Sequence, residues 1–162
     1  MKTIHFGLEA FRNSVPKADL CVPAVSKWSV GMHVHHCCRA MIGVCQILSA
    51  STPPPPRSRF SLISAFIFLS GRIPRGRGRS PDTVVPNQDI TQAELLALLE
   101  ESERRLNDVR QLHAGTWFKH FKFGVLDRDK TAKFIRIHNQ HHLRIISDIM
   151  AAKTRDSSGD LE

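Results

Sequence analysis

His138 and His142 stand four residues apart in the string Ile137-His138-Asn139-Gln140-His141-His142-Leu143, within a stretch patterned as one long amphipathic helix. Four residues make just over one helical turn, so both imidazoles share a face and can hold one divalent ion from the same side. That face points inward. At about 100° per residue it is the stripe of Phe134, Ile135, Ile145 and Ile149, while Arg136, Leu143 and Arg144 lie elsewhere. Two polar rings on an apolar stripe carry a desolvation cost that calls for a partner, which favours a ligand pair over two inert core histidines. The neighbours add little chemistry: Asn139 and Gln140 are expected to project from other faces. Asp148, almost two turns beyond His142, falls near the solvated side, so no general base is evident.

Two ligands from one helix cannot complete a site, and the second long helix offers His33, His35 and His36. Periodicity puts His33 closest to the apolar centre, His36 further round on the side of Ala40 and Ile47, and His35 pointing away. On spacing alone both His33 and His36 stay open, with a slight preference for His33. His120, ahead of Gly124, is a further residue that could contact the site. Cys37 and Cys45 share the inward stripe and read as small core residues, with Cys37 or Cys38 touching a metal as the lesser alternative. The four cysteines lack C-x-x-C spacing, and reduced thiols are the simpler reading.

The elements that must position these residues follow from breakers and caps. Ile4, Leu8 and Phe11 suit a short helix ending before Pro16. Trp28-Ser29 opens a clear helix, with Ser29 as N-cap and Val30, Val34, Cys37, Met41, Val44, Cys45 and Leu48 on one face, and Pro53 to Pro56 end it. A short apolar helix spans about Phe60 to Leu69, with Gly71 at its C-terminal cap. A long loop rich in Pro, Gly and Arg follows from Ile73 through Pro86, and Arg75, Arg77 and Arg79 in it could clamp an anion, though a solvated basic loop is the plainer reading. Thr91-Gln92-Ala93-Glu94 is a capping box for a helix to about Leu112 that turns Leu95, Leu99, Leu106 and Val109 inward. Gly115 and Gly124 frame a turn region, and Asp127 caps the last helix, which runs to about Ala152. No strand-period segment of useful length appears. The expected architecture is an all-α four-helix bundle over residues 1–152, with a polar, disordered tail over 153–162.

At 162 residues, 41% hydrophobic and 23% charged, the chain suits one soluble domain. No stretch has the roughly 20 apolar residues of a membrane span, and the first dozen residues lack a secretory h-region, so the expected location is cytoplasmic. The net charge of +8 is uneven: residues 1–80 carry eleven Lys and Arg against only Glu9 and Asp19. These basic residues are scattered over several elements with little aromatic interleaving, so nucleic acid is not the expected partner. Bundles of this size often pair through an exposed helix face, which leaves a homodimer open.

Trp28-Ser29-Val30-Gly31 with His36 eight positions after the tryptophan, followed by His138-x-x-His141-His142, resembles the DinB-like superfamily of metal-binding four-helix bundles. Phe121-x-Phe123-Gly124-x-Leu126 and the Ile73-Pro74-Arg75-Gly76-Arg77-Gly78 loop are similar to an uncharacterised bacterial branch of it, and the resemblance covers roughly residues 20–152. It implies a divalent ion, commonly zinc or nickel, held by His36, His138 and His142, with His141 beside the site or partly exposed. It also implies a metal-dependent thiol S-transferase using a low-molecular-weight thiol, or a small-molecule hydrolase. A non-catalytic metal-binding or stress-response bundle is the alternative.

Overall fold

The computed structural model describes residues 5–54, 56, 62–75, 84, 86 and 89–159. The chain is predominantly helical. Helix α1 (Leu8–Ser14) runs into a single 3₁₀ turn (Val15–Lys17), with Pro16 in the first turn, where a missing N–H costs nothing. Helix α2 (Val30–Ala50) starts as its cap predicts: Ser29 Oγ accepts the Met32 amide at 3.3 Å. Helix α3 (Leu62–Ser70) stops at Gly71, whose φ of 63° is a left-handed conformation that glycine adopts without a Cβ penalty. Helix α4 (Gln92–Val109) carries both bonds of its capping box, from the Thr91 amide to Glu94 Oε2 at 2.8 Å and from the Glu94 amide to Thr91 Oγ1 at 3.2 Å.

Two departures from the sequence reading follow α4. The turn region is a small antiparallel hairpin, β1 (Trp117–His120) and β2 (Gly124–Asp127), with Phe118 opposite Leu126 and His120 opposite Gly124. Four residues are too few for an alternating pattern to stand out, although Phe118 and His120 are buried around the exposed Lys119. Helix α5 (Arg128–Gly159) begins with Asp127 accepting the Lys130 amide at 2.8 Å and continues past Ala152, where fraying was expected.

Helix α2 packs across both α4 and α5, and α1 closes against the same three helices. The bundle is therefore α1, α2, α4 and α5. Helix α3 lies outside it, burying only Ile67 while Leu62, Ile63, Phe66 and Leu69 stay exposed. Phe11, Met41, Leu48, Leu95, Leu99, Leu106, Ile137 and Ile149 are fully buried between the bundle helices. Because α5 is covered on two sides, its buried stripe is wider than the two-histidine face. Asn139, expected on another face, is fully buried, its Nδ2 donating to the Phe6 carbonyl at 2.9 Å. All four cysteines are free; Cys21 is exposed, burial pushes the Cys38 and Cys45 thiols up to about 12, and it raises the Cys37 thiol well above its ordinary value. Among the described residues, no helix is long and apolar enough to cross a membrane.

The start of α2 is seated by a close approach. The Gly31 amide donates to the Ala18 carbonyl at 2.8 Å, and a Cβ at position 31 would stand 3.0 Å from Ala18 Cβ. That contact fixes where the first turns of α2, and so His33 and His36, stand against α5.

Candidate metal centre

One buried turn of α2 faces two turns of α5. His36 comes from the first, His138 and His142 from the second, and one ring nitrogen from each lies within 4.8 Å of the others. The three ring centroids form a near-regular triangle with sides of 5.1, 4.8 and 4.7 Å. A tetrahedral zinc bound at about 2.0–2.1 Å holds its ligand nitrogens about 3.3–3.4 Å apart. His36 Nε2 and His138 Nε2 already stand 3.2 Å apart, close to that spacing.

Other ring nitrogens of the group are also engaged. His36 Nδ1 donates to the Val84 carbonyl at 2.8 Å, which leaves Nε2 as the lone-pair nitrogen. His142 Nδ1 meets His33 Nδ1 at 2.9 Å, and His33 Nε2 meets Ser26 Oγ at 3.0 Å. The half-buried Trp28 ring packs over the group, 5.3 Å from His33, 5.1 Å from His36 and 6.2 Å from His142, the last nearly parallel at 10°. Burial is the largest cause of every shift here: it holds His138 and His142 well below their ordinary value and lowers His36, against the opposing pull of the Val84 carbonyl. The three rings are therefore neutral at pH 7, the form in which imidazole binds a metal.

The other candidates fall into clear places. His33, which spacing slightly preferred, is buried but stands behind His142 with both nitrogens engaged, and burial brings it down to about 4. His141 is partly buried with its ring 5.1 Å from His142, and a hydrogen bond to the Ile73 carbonyl partly offsets the lowering by burial and Arg75. His120 is not brought into the group. Its ring stacks on Phe121 and Phe123 at 4.5 and 4.3 Å, and Phe134 stands between it and His138. Its Nδ1 accepts the Lys122 and Phe123 amides, so it pins the hairpin turn. Neither Cys37 nor Cys38 joins the donor group among the described residues. Arg75 pairs with Asp148 at 2.7 Å and lies near enough to His33 and His141 to lower both; Arg77 and Arg79 lie outside the described residues.

Sequence reasoning passed over Ser26 and the Val84 carbonyl, both on connecting segments where periodicity carries no signal, and took Trp28 only as part of the family motif, without its packing on the rings. No curated protein and no solved structure matches the chain significantly. A family model described as "Protein of unknown function (DUF1569)" matches residues 21–148, a span holding Ser26, Trp28 and all three clustered histidines, and the chain belongs to that family.

Proposed function

We propose that this protein is a divalent-metal-dependent enzyme of the DinB-like type, either a thiol S-transferase or a small-molecule hydrolase, with His36, His138 and His142 as ligands and zinc or nickel as the ion. The observation that carries the reading is the convergence of three neutral, largely buried ring nitrogens within 4.8 Å from two helices far apart in sequence. Among the described residues the donor group holds three members, which favours an ion with an open position over the closed set of a structural zinc. Such an ion supplies Lewis acidity that activates a water or a thiol at neutral pH.

The chain's own residues do the rest. Val84 aims His36 by accepting from its far nitrogen, and Trp28 packs against the rings of His36 and His142. Arg75, half exposed beside His141, presents a guanidinium that already holds one carboxylate, that of Asp148, and could hold a carboxylate or phosphate on a substrate instead.

Metal analysis of the purified protein tests the reading. The expected result is close to one equivalent of a transition metal, with each of His36→Ala, His138→Ala and His142→Ala weakening cobalt binding roughly 100-fold or more. Less than about a tenth of an equivalent after reconstitution would overturn it. Loaded protein assayed with a low-molecular-weight thiol plus an electrophile, and separately with ester and amide substrates, decides between transferase and hydrolase; activity that persists after chelation excludes both.

A further inference from the structure

The contact between His33 and His142 joins two identical nitrogens, Nδ1 to Nδ1 at 2.9 Å, so one ring must donate and the other accept. Each choice fixes both rings, because a neutral imidazole carries one N–H and one lone pair. If His33 donates, His142 carries its proton on Nε2, on the edge of the ring opposite His33. If His142 donates, its Nε2 is a bare lone pair, and His33 carries its proton on Nε2, facing Ser26 Oγ at 3.0 Å.

The neighbouring rings discriminate between these states. A backbone carbonyl can only accept, so the Val84 contact puts the His36 proton on Nδ1 and leaves its Nε2 as a lone pair. That lone pair lies 3.2 Å from His138 Nε2 and takes the one N–H offered there. A second N–H, on His142 Nε2, would find this acceptor already engaged and no other among the described residues, and an N–H without an acceptor is a costlier defect than an unused lone pair. With His142 as donor the conflict disappears. Ser26 Oγ then accepts from both His33 Nε2 and the Trp28 amide at 3.1 Å, using its two lone pairs.

We propose that His33 and Ser26 are positioning residues: through the relay Ser26 Oγ, His33 Nε2, His33 Nδ1 and His142 Nδ1 they hold His142 as its Nδ1–H tautomer, with Nε2 free to face His36 and His138. The purpose of the relay rests on the three-histidine reading above, whereas its proton arrangement belongs to the metal-free protein. Partners of this kind orient ligand rings and raise their basicity, and removing one typically costs metal affinity 10- to 100-fold.

Two measurements test it. Long-range nitrogen correlation spectra of the metal-free protein near pH 7.5 are expected to show His142 protonated at Nδ1 and His33 at Nε2, with the His142 pattern shifting toward Nε2–H in His33→Phe and in Ser26→Ala. Finding His142 protonated at Nε2 in the unaltered protein overturns the proposal. In cobalt titrations followed by the ligand-field absorption, His33→Phe keeps the ring volume and is expected to bind roughly 10- to 100-fold more weakly. His33→Asn puts an amide oxygen near the lost Nδ1 and is expected to return to within about threefold of the unaltered protein. Undiminished affinity in His33→Phe, or equal loss in both variants, overturns it. A protein that takes up no cobalt overturns the metal reading instead, and the metal-free spectra then still decide the tautomer.

Discussion

At the scale of single residues, burial decides the chemistry of the histidines. Those at 33 and 120 are brought from 6.5 to about 4, and those at 138 and 142 well below 6.5, each chiefly by desolvation. The folded state thus refuses protons that the unfolded chain accepts. Stability is fully present above the unfolded value of 6.5 and falls as pH drops from there toward the folded values, by roughly 1.4 kcal/mol per pH unit for each such histidine. Urea unfolding of the metal-free protein should show a midpoint that is level above about pH 7 and declines steadily below about 6.5; a midpoint unchanged down to about pH 5 would contradict this. In His120→Phe the slope should become shallower, because one titrating ring is gone. The same substitution leaves the Lys122 and Phe123 amides without their acceptor and should cost roughly 1–3 kcal/mol at neutral pH.

At the scale of elements, the site depends on how α2 is seated. The 3₁₀ turn after α1 lies against Gly31 so closely that a methyl group there would meet Ala18 Cβ at 3.0 Å and its carbonyl oxygen at 3.1 Å. Gly31→Ala is expected to destabilise by roughly 1–3 kcal/mol and to weaken metal binding, since relief of the clash moves the turn bearing His33 away from α5. Gly43 sits in the same helix, and a Cβ there meets nothing within 4 Å. Gly43→Ala should therefore stabilise by up to about 1 kcal/mol through helix propensity. Thermal unfolding of the two variants side by side checks the pair, and equal effects would mean that the close approach carries no weight.

At the scale of the whole molecule, a metal would tie α2 to α5 across the bundle. A ligand that binds only the folded state stabilises it by about 2.7 kcal/mol at a hundred times its dissociation constant. For a chain of 162 residues that corresponds to a rise in melting temperature of roughly 5–10 °C, reversed by a chelator. Calorimetry with and without cobalt should show this shift in the unaltered protein and none in His138→Ala. A shift that survived the substitution would place the ion elsewhere.

Local patterning set the helices and their caps, because Ser29, Thr91, Glu94 and Asp127 act on amides within three residues of themselves. It determined the His138 and His142 pair for the same reason: their relation is set by one helix. The hairpin was illegible in four-residue strands, and α1 showed only three spaced apolar residues, although it completes the bundle in place of α3. Spacing left His33 and His36 open because both fall on the buried side of α2, and which ring meets α5 depends on how the two helices are rotated against each other. Only the tertiary structure settled that rotation, bringing His36 to His138, His33 behind His142, and Val84 and Ser26 from loops onto their far nitrogens. Local patterning reaches about one helical turn along the chain, whereas the convergence of these rings is a property of packed helices about a hundred residues apart.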